Sequence, residues 1–222
     1  MSFWFDTKGT DFSFKAGQHA GFRLITSPFT DDAGNSRTLS FASSEHHKDF
    51  VMIATRMRNS AFKNSLKEIP LGTKVEVSGP TGFFTLPQEP SSPVVFLAGG
   101  IGITPFRSMI EFATHERLAQ KIYLFYSNRT FGLTAFLSDF EKWKEGNSNF
   151  KFVPTITEVE ASGWEYERGR ISKEMLVKYI DDLSTPIYYI AGPDSFVVGM
   201  YEMLVEAGVS GERIRTEEFT GY

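Results

Sequence analysis

The 222-residue sequence contains no cysteine. That absence removes disulfides, thiolate nucleophiles, cysteine-held zinc and cysteine-ligated iron–sulfur clusters from this chain. Positive charge is also short: 23 Lys and Arg against 27 Asp and Glu leave a formal net charge of −4, with no long basic run. Without a cationic stripe to displace counterions from a phosphate backbone, nucleic acid is not an expected partner. No apolar run approaches the ~20 residues of a membrane-spanning helix, and residues 1–6 lack the basic and apolar regions of a leader peptide. A cytoplasmic protein with no membrane partner is expected. Neither a G-x-S-x-G elbow nor an H-E-x-x-H pair occurs, so hydrolase chemistry has no anchor.

What is present is a globular composition, 41% apolar and rich in aromatics through 22 Phe. The length suits two domains, each of roughly 90 to 130 residues with its own core. Period-two alternation predicts short strands at 2–6, 12–14, 22–25, 51–55 and 74–77, separated by turn clusters such as 31–35. Strands at this spacing predict a small antiparallel barrel with one helix at 61–69. Three prolines and two serines in 87–93 read as a linker, which divides the chain into 1–88 and 89–222. Beyond it, buried strands at 94–98, 121–127, 150–156, 187–191 and 213–219 alternate with helices at 106–116, 135–144, 173–180 and 196–207. That alternation predicts an α/β domain with a parallel sheet.

The segment Gly99-Gly100-Ile101-Gly102-Ile103-Thr104-Pro105 follows the first buried strand of the second half. Glycines there let backbone approach a ligand, Pro105 presets the first helical turn, and free amides at a helix N-terminus favour a phosphate. The G-x-G-x-x-G dinucleotide fingerprint is only partly met, and the lysine of a P-loop is missing. A tight strand-to-helix connection with no ligand is the other reading of these residues.

Further segments lie in a fixed order around this turn. Arg37-Thr38-Leu39-Ser40 looks like an R-x-Y-S flavin motif, and residues 79–84 look like the end of a flavin-binding barrel. Gly99 to Pro105 matches a G-G-x-G-x-T-P signature, Ala191-Gly192-Pro193 resembles C-G-P, and residues 219–222 look like a C-terminal segment with an aromatic cap. Together they make nearly the whole chain resemble the ferredoxin:NADP reductase family. The resemblance implies a Greek-key FAD-binding barrel followed by a Rossmann-like NAD(P)-binding domain. It implies that Arg37 holds a flavin phosphate, with Thr38 and Leu39 beside it, and that the Ser40 hydroxyl lies near the flavin N5. Ser60, Phe62, Lys63, Asn64 and Ser65 would surround the flavin pyrophosphate at the start of the short helix. Gly99, Gly100, Gly102, Thr104 and Pro105, then Ser127 and Arg129, then Ala191, Gly192 and Pro193 would contact NADH or NADPH. Arg129 would pair a 2′-phosphate, and the choice between the two nucleotides stays open. Tyr222 would stack on the isoalloxazine ring.

Two positions depart from the family pattern. Leu39 replaces the usual aromatic residue of the flavin motif, and Ala191 replaces cysteine. There is little sequence before Phe3 to supply an earlier barrel strand, so either the natural N-terminus extends further or the barrel is incomplete. His46 and His47, with Glu45 and Asp49 nearby, are read as a solvated loop, because adjacent histidines on a strand point oppositely; no metal is expected. The expected function is transfer of hydride from NAD(P)H to bound FAD, with electrons passed to a separate acceptor. That acceptor would be a ferredoxin-, flavodoxin- or oxygenase-like protein or a small molecule. A flavin- or nucleotide-binding regulatory module without turnover is the competing reading.

Overall fold

A computed structural model describes residues 1–88, 90, 92–158 and 163–219. The first half holds five antiparallel strands: β1 (Ser2–Asp6), β2 (His19–Leu24), β3 (Ser36–Ser40), β4 (Phe50–Ala54) and β5 (Val75–Thr81). They form two sheets, β1-β4 and β3-β2-β5, linked at one isolated bridge between Phe41 and Ile53. The side chains that alternate inward, Phe22, Leu24, Leu39, Val51 and Ile53, pack on Phe14 and Phe41. Phe14 and Phe41 stand 4.3 Å apart between ring centroids, so much of the phenylalanine excess goes to filling this core. Helix α1 (Ala61–Glu68) closes one end, burying Phe62 and Leu66.

Residues 12–14 form no strand, although Phe14 is buried where the pattern demands. β3 carries only polar residues apart from Leu39, so its pattern gives no strand signal; pairing with β2 sets it.

The second half is a six-stranded parallel sheet in the order β11-β10-β6-β7-β8-β9. Its strands are β6 (Val94–Gly99), β7 (Ile122–Asn128), β8 (Phe150–Ile156), β9 (Glu167–Arg168), β10 (Ile187–Gly192) and β11 (Ile214–Glu218). The helices are α2 (Ile103–His115), α3 (Leu137–Gly146), α4 (Lys173–Val177) and α5 (Asp194–Glu206). Among the described residues, none of these helices is long and apolar enough to cross a membrane. β6 is buried at every position, as a strand covered on both faces must be. α2 starts at Ile103, earlier than the expected 106, because Gly100–Gly102 winds as a 3-10 turn that feeds straight into it. Pro105 therefore falls in the first helical turn, where a missing N–H costs nothing.

The two halves share a core. Ala16 and Phe84 pack with Phe106, Met109 and Tyr189 in the cluster beneath β6. Polar contacts reinforce the join: Ser108 Oγ donates to Ser43 O at 2.6 Å, and Tyr189 OH donates to Thr85 O at 2.8 Å.

Candidate functional site

Two clefts meet where the halves join. The first, of about 790 Å³, is lined by β3, the segment after β4, the start of α1 and the end of β11. Arg37, Thr38, Leu39 and Ser40 all face it, with Ser60, Phe62 and Lys63 opposite. Ser60 occupies the N-cap of α1 without capping it; its Oγ is buried and has no hydrogen-bond partner among the described residues. Asp31 does that work, its Oδ2 accepting from Ala61 N at 2.9 Å. Burial holds the Lys63 ammonium below its ordinary pKa, and the nearby charges of Arg58 and Arg37 push the same way. A buried cation beside two others, with an orphaned hydroxyl, is an arrangement that an anion such as a phosphate completes.

Arg37 is more committed than its motif implies. Its Nη1 donates to Ala33 O, Gly34 O and Ser36 O at 2.9, 3.0 and 2.6 Å. Nη2 lies 3.6 Å from Asp31 Oδ1, and the guanidinium sits over the Phe62 ring at 5.4 Å. It orders the 31–36 loop while keeping one face toward the cleft. On the far wall His19 Nδ1 lies 3.2 Å from Glu217 Oε1, a hydrogen bond that raises the imidazole pKa against the opposing effect of burial.

The second cleft, of about 880 Å³, lies along the carboxyl ends of the parallel strands. Sheet order explains its place. From β6 the chain moves outward through β7 and β8, then returns to the other side as β10, so β6 and β10 flank a topological switch point. Ligands of open α/β sheets bind in the crevice outside such a point. Gly99 and Gly100 line it together with Ser127, Asn128, Arg129, Thr157 and Pro193. Arg56, Arg58 and Arg170 line it too, and no carboxylate does among the described residues. Asn128 is buried; its Oδ1 accepts from Arg56 Nη2 at 3.2 Å, while its Nδ2 has no partner among the described residues. Arg58 borders both clefts, so ligands filling them would be neighbours.

Residues 96–202 match the family model of the oxidoreductase NAD-binding domain. The FAD/NAD-binding domain of nitric oxide dioxygenase from Vibrio cholerae superposes with a TM-score of 0.85 at 18% identity, covering 98% of this chain and 91% of that one. A ferredoxin NADP+ reductase from Neisseria gonorrhoeae, solved with FAD and NADP, gives 0.79 at 21% identity, covering 98% and 91%. The chain shares the fold of these two structures. Among curated relatives, one component of the Na+-translocating NADH-quinone reductase of Pseudoalteromonas atlantica is 29% identical over 220 residues, 90% of this chain and 52% of that protein. The chain thus spans about half the length of that relative.

Several residues singled out from the motifs lie elsewhere in this fold. Neither Asn64 nor Ser65 lines the first cleft; Ser65 Oγ instead accepts from Ser27 Oγ at 2.9 Å and Phe29 N at 3.0 Å, fastening the 27–29 loop. Gly102, Thr104, Pro105, Ala191 and Gly192 do not line the second cleft. The Thr104 hydroxyl donates to Ile101 O at 3.2 Å within the turn. The glycines face protein: a Cβ on Gly99 would lie 2.8 Å from the Phe196 ring, and one on Gly102 only 2.3 Å from Ala191 O. Their smallness serves packing of the turn against β10 and α5. Tyr222 lies outside the described residues, whereas Phe219 borders the first cleft. His19, Thr55, Arg56, Arg58, Asn59, Arg170 and Glu217 carry no motif, and only topology brings them to the clefts.

Proposed function

We propose that this chain is an FAD-dependent NAD(P)H oxidoreductase, with FAD in the first cleft and the nicotinamide nucleotide in the second. The observation that carries the reading is the pair of clefts meeting at Arg58, one with the Ser60 and Lys63 cradle, the other at the β6/β10 switch point. A bound FAD would supply the redox chemistry, as hydride acceptor from NAD(P)H and electron source for an acceptor. Lys63, Arg58 and the Ser60 hydroxyl would hold the pyrophosphate, with Arg37 pinning the loop that closes over it. Ser40, buried at the end of β3, would place its hydroxyl beside the reactive ring edge. In the second cleft, Asn128 Nδ2 and the amides of the glycine turn would orient the nucleotide, and Arg129 would meet a 2′-phosphate if one is present. These groups position the cofactors; holding donor and acceptor in register is the protein's share of the rate.

The division at residue 88, the cytoplasmic location and the separate acceptor belong to the same reading. The acceptor is a ferredoxin-, flavodoxin- or oxygenase-like protein, a quinone or another small molecule. A reductase component of terephthalate 1,2-dioxygenase from Comamonas sp. is among the similar proteins, which supports an oxygenase-type acceptor as one choice. Anaerobic stopped-flow mixing of FAD-loaded protein with NADH or NADPH tests the whole: rapid bleaching of the flavin band is expected with at least one nucleotide. A flavin that binds but stays oxidised would make this a binding module, and a protein that takes up no FAD would overturn the reading.

A further inference from the structure

We propose that His46, His47 and Glu111 form a site for a divalent transition cation of the zinc class, fastening the loop before β4 to helix α2. The chain has four histidines, and three gather here. The His46 and His47 rings lie 3.9 Å apart between centroids, and His115 stacks on His46 at 3.9 Å with planes 6° apart. One ligand atom from each of His46, His47 and Glu111 falls within 4.8 Å of the other two. Opposed histidines are a property of a strand, and residues 46–47 lie in a turn, so both rings reach the same side.

The donor set suits the ion. Two imidazoles and a carboxylate are hard-to-borderline donors of the kind zinc takes, at about 2.0–2.2 Å each, which places tetrahedral donors about 3.3 Å apart. His47 Nε2 and Glu111 Oε1 already stand at 3.2 Å. Supporting contacts orient the ligands: Glu111 Oε2 accepts from Ser44 N at 2.8 Å and Arg107 Nη1 at 3.3 Å, leaving Oε1 toward His47. Ser44 Oγ lies 2.9 Å from His46 Nδ1 and steadies that ring. Glu111 comes from α2 and the histidines from the other half, so an ion here spans the join. None of the three lines either cleft, which makes the site separate from the proposed redox centre.

The test uses tag-free, chelator-treated protein loaded with FAD, titrated calorimetrically with ZnCl2 at neutral pH and melted with and without the metal. One equivalent is expected to bind in the micromolar range or tighter and to raise Tm, since a ligand of the native state alone stabilises it. His47→Ala and Glu111→Gln should each weaken binding at least about tenfold and remove the Tm rise. Because those two also break the His47–Glu111 contact, His46→Ala, which leaves that contact in place, is the variant that protects the test from loss of fold. No binding at ~100 µM Zn2+, or binding that survives all three substitutions, would overturn the proposal.

Discussion

A single methyl group added at Gly102 separates packing from ligand contact. Gly102 has ordinary helical torsions, φ −60° and ψ −1°, so alanine meets no backbone strain there. Its Cβ would instead lie 2.3 Å from Ala191 O, 2.5 Å from Ala191 C and 2.6 Å from Gly192 N. These are backbone atoms of a strand paired on both sides, and they cannot swing aside as a side-chain tip does. Restoring van der Waals contact requires the turn and β10 to part by about 1 Å. Overpacking a tight interior costs about 1–3 kcal/mol, and a collision of backbone with backbone puts Gly102→Ala near the upper end, ~3 kcal/mol. For a chain of this size each kcal/mol moves Tm by about 2–4 °C, so a fall of roughly 6–12 °C is expected.

Gly199→Ala supplies the counterpart. Gly199 sits inside α5 with nothing among the described residues within 4 Å of an added Cβ, yet it borders the second cleft. The methyl should stabilise by about 0.4–1 kcal/mol through helix propensity and reduced unfolded-state entropy. Circular-dichroism melts and nucleotide titrations on both variants read the two effects independently. A Gly102→Ala protein that melts like the parent but binds NAD(P)H poorly would falsify the packing account and return the glycine to the ligand. A destabilised Gly199→Ala protein would contradict the helix account.

His19 should impose a pH dependence on stability. Its folded pKa is raised above the unfolded ~6.5, so its contribution is complete below that value and is lost as pH rises through the folded pKa. Urea midpoints measured from pH 6 upward should fall over that window in the parent and not in His19→Asn; parallel curves for the two proteins would dismiss the His19–Glu217 pair as the cause. Arg129 is exposed and faces the second cleft, and a guanidinium there favours a 2′-phosphate. Arg129→Ala should therefore raise the KM for NADPH about tenfold while changing that for NADH little, and equal losses would strip Arg129 of this role.

Where a side chain's burial is decided by its own strand, the sequence pattern finds it; where two elements meet, it does not. β1 and β8 begin and end where alternation or a continuous apolar run places them, because each such pattern reports one element's exposure to solvent. β3 defeats that logic, since Ser36, Arg37, Thr38 and Ser40 carry no apolar signal and β2 supplies the pairing that makes them a strand. The glycine turn shows the limit more sharply. Its position after a buried strand is legible, and Gly99 and Gly100 do reach the cleft, but the motif does not show that Phe196, Arg56 and Ala191 stand where a Cβ on these glycines would fall. Arg56 comes from the chain just beyond β4 and lays its guanidinium against Gly100, where a Cβ would meet Nη2 at 2.7 Å. In sequence it is one cation in a polar stretch, indistinguishable from a solvated one. Only the stacking of the antiparallel half on the parallel sheet brings Arg56 to the second cleft and Arg58 to the border of both, and that stacking is written in the buried contacts of Ala16, Phe84 and Met109 rather than in any motif.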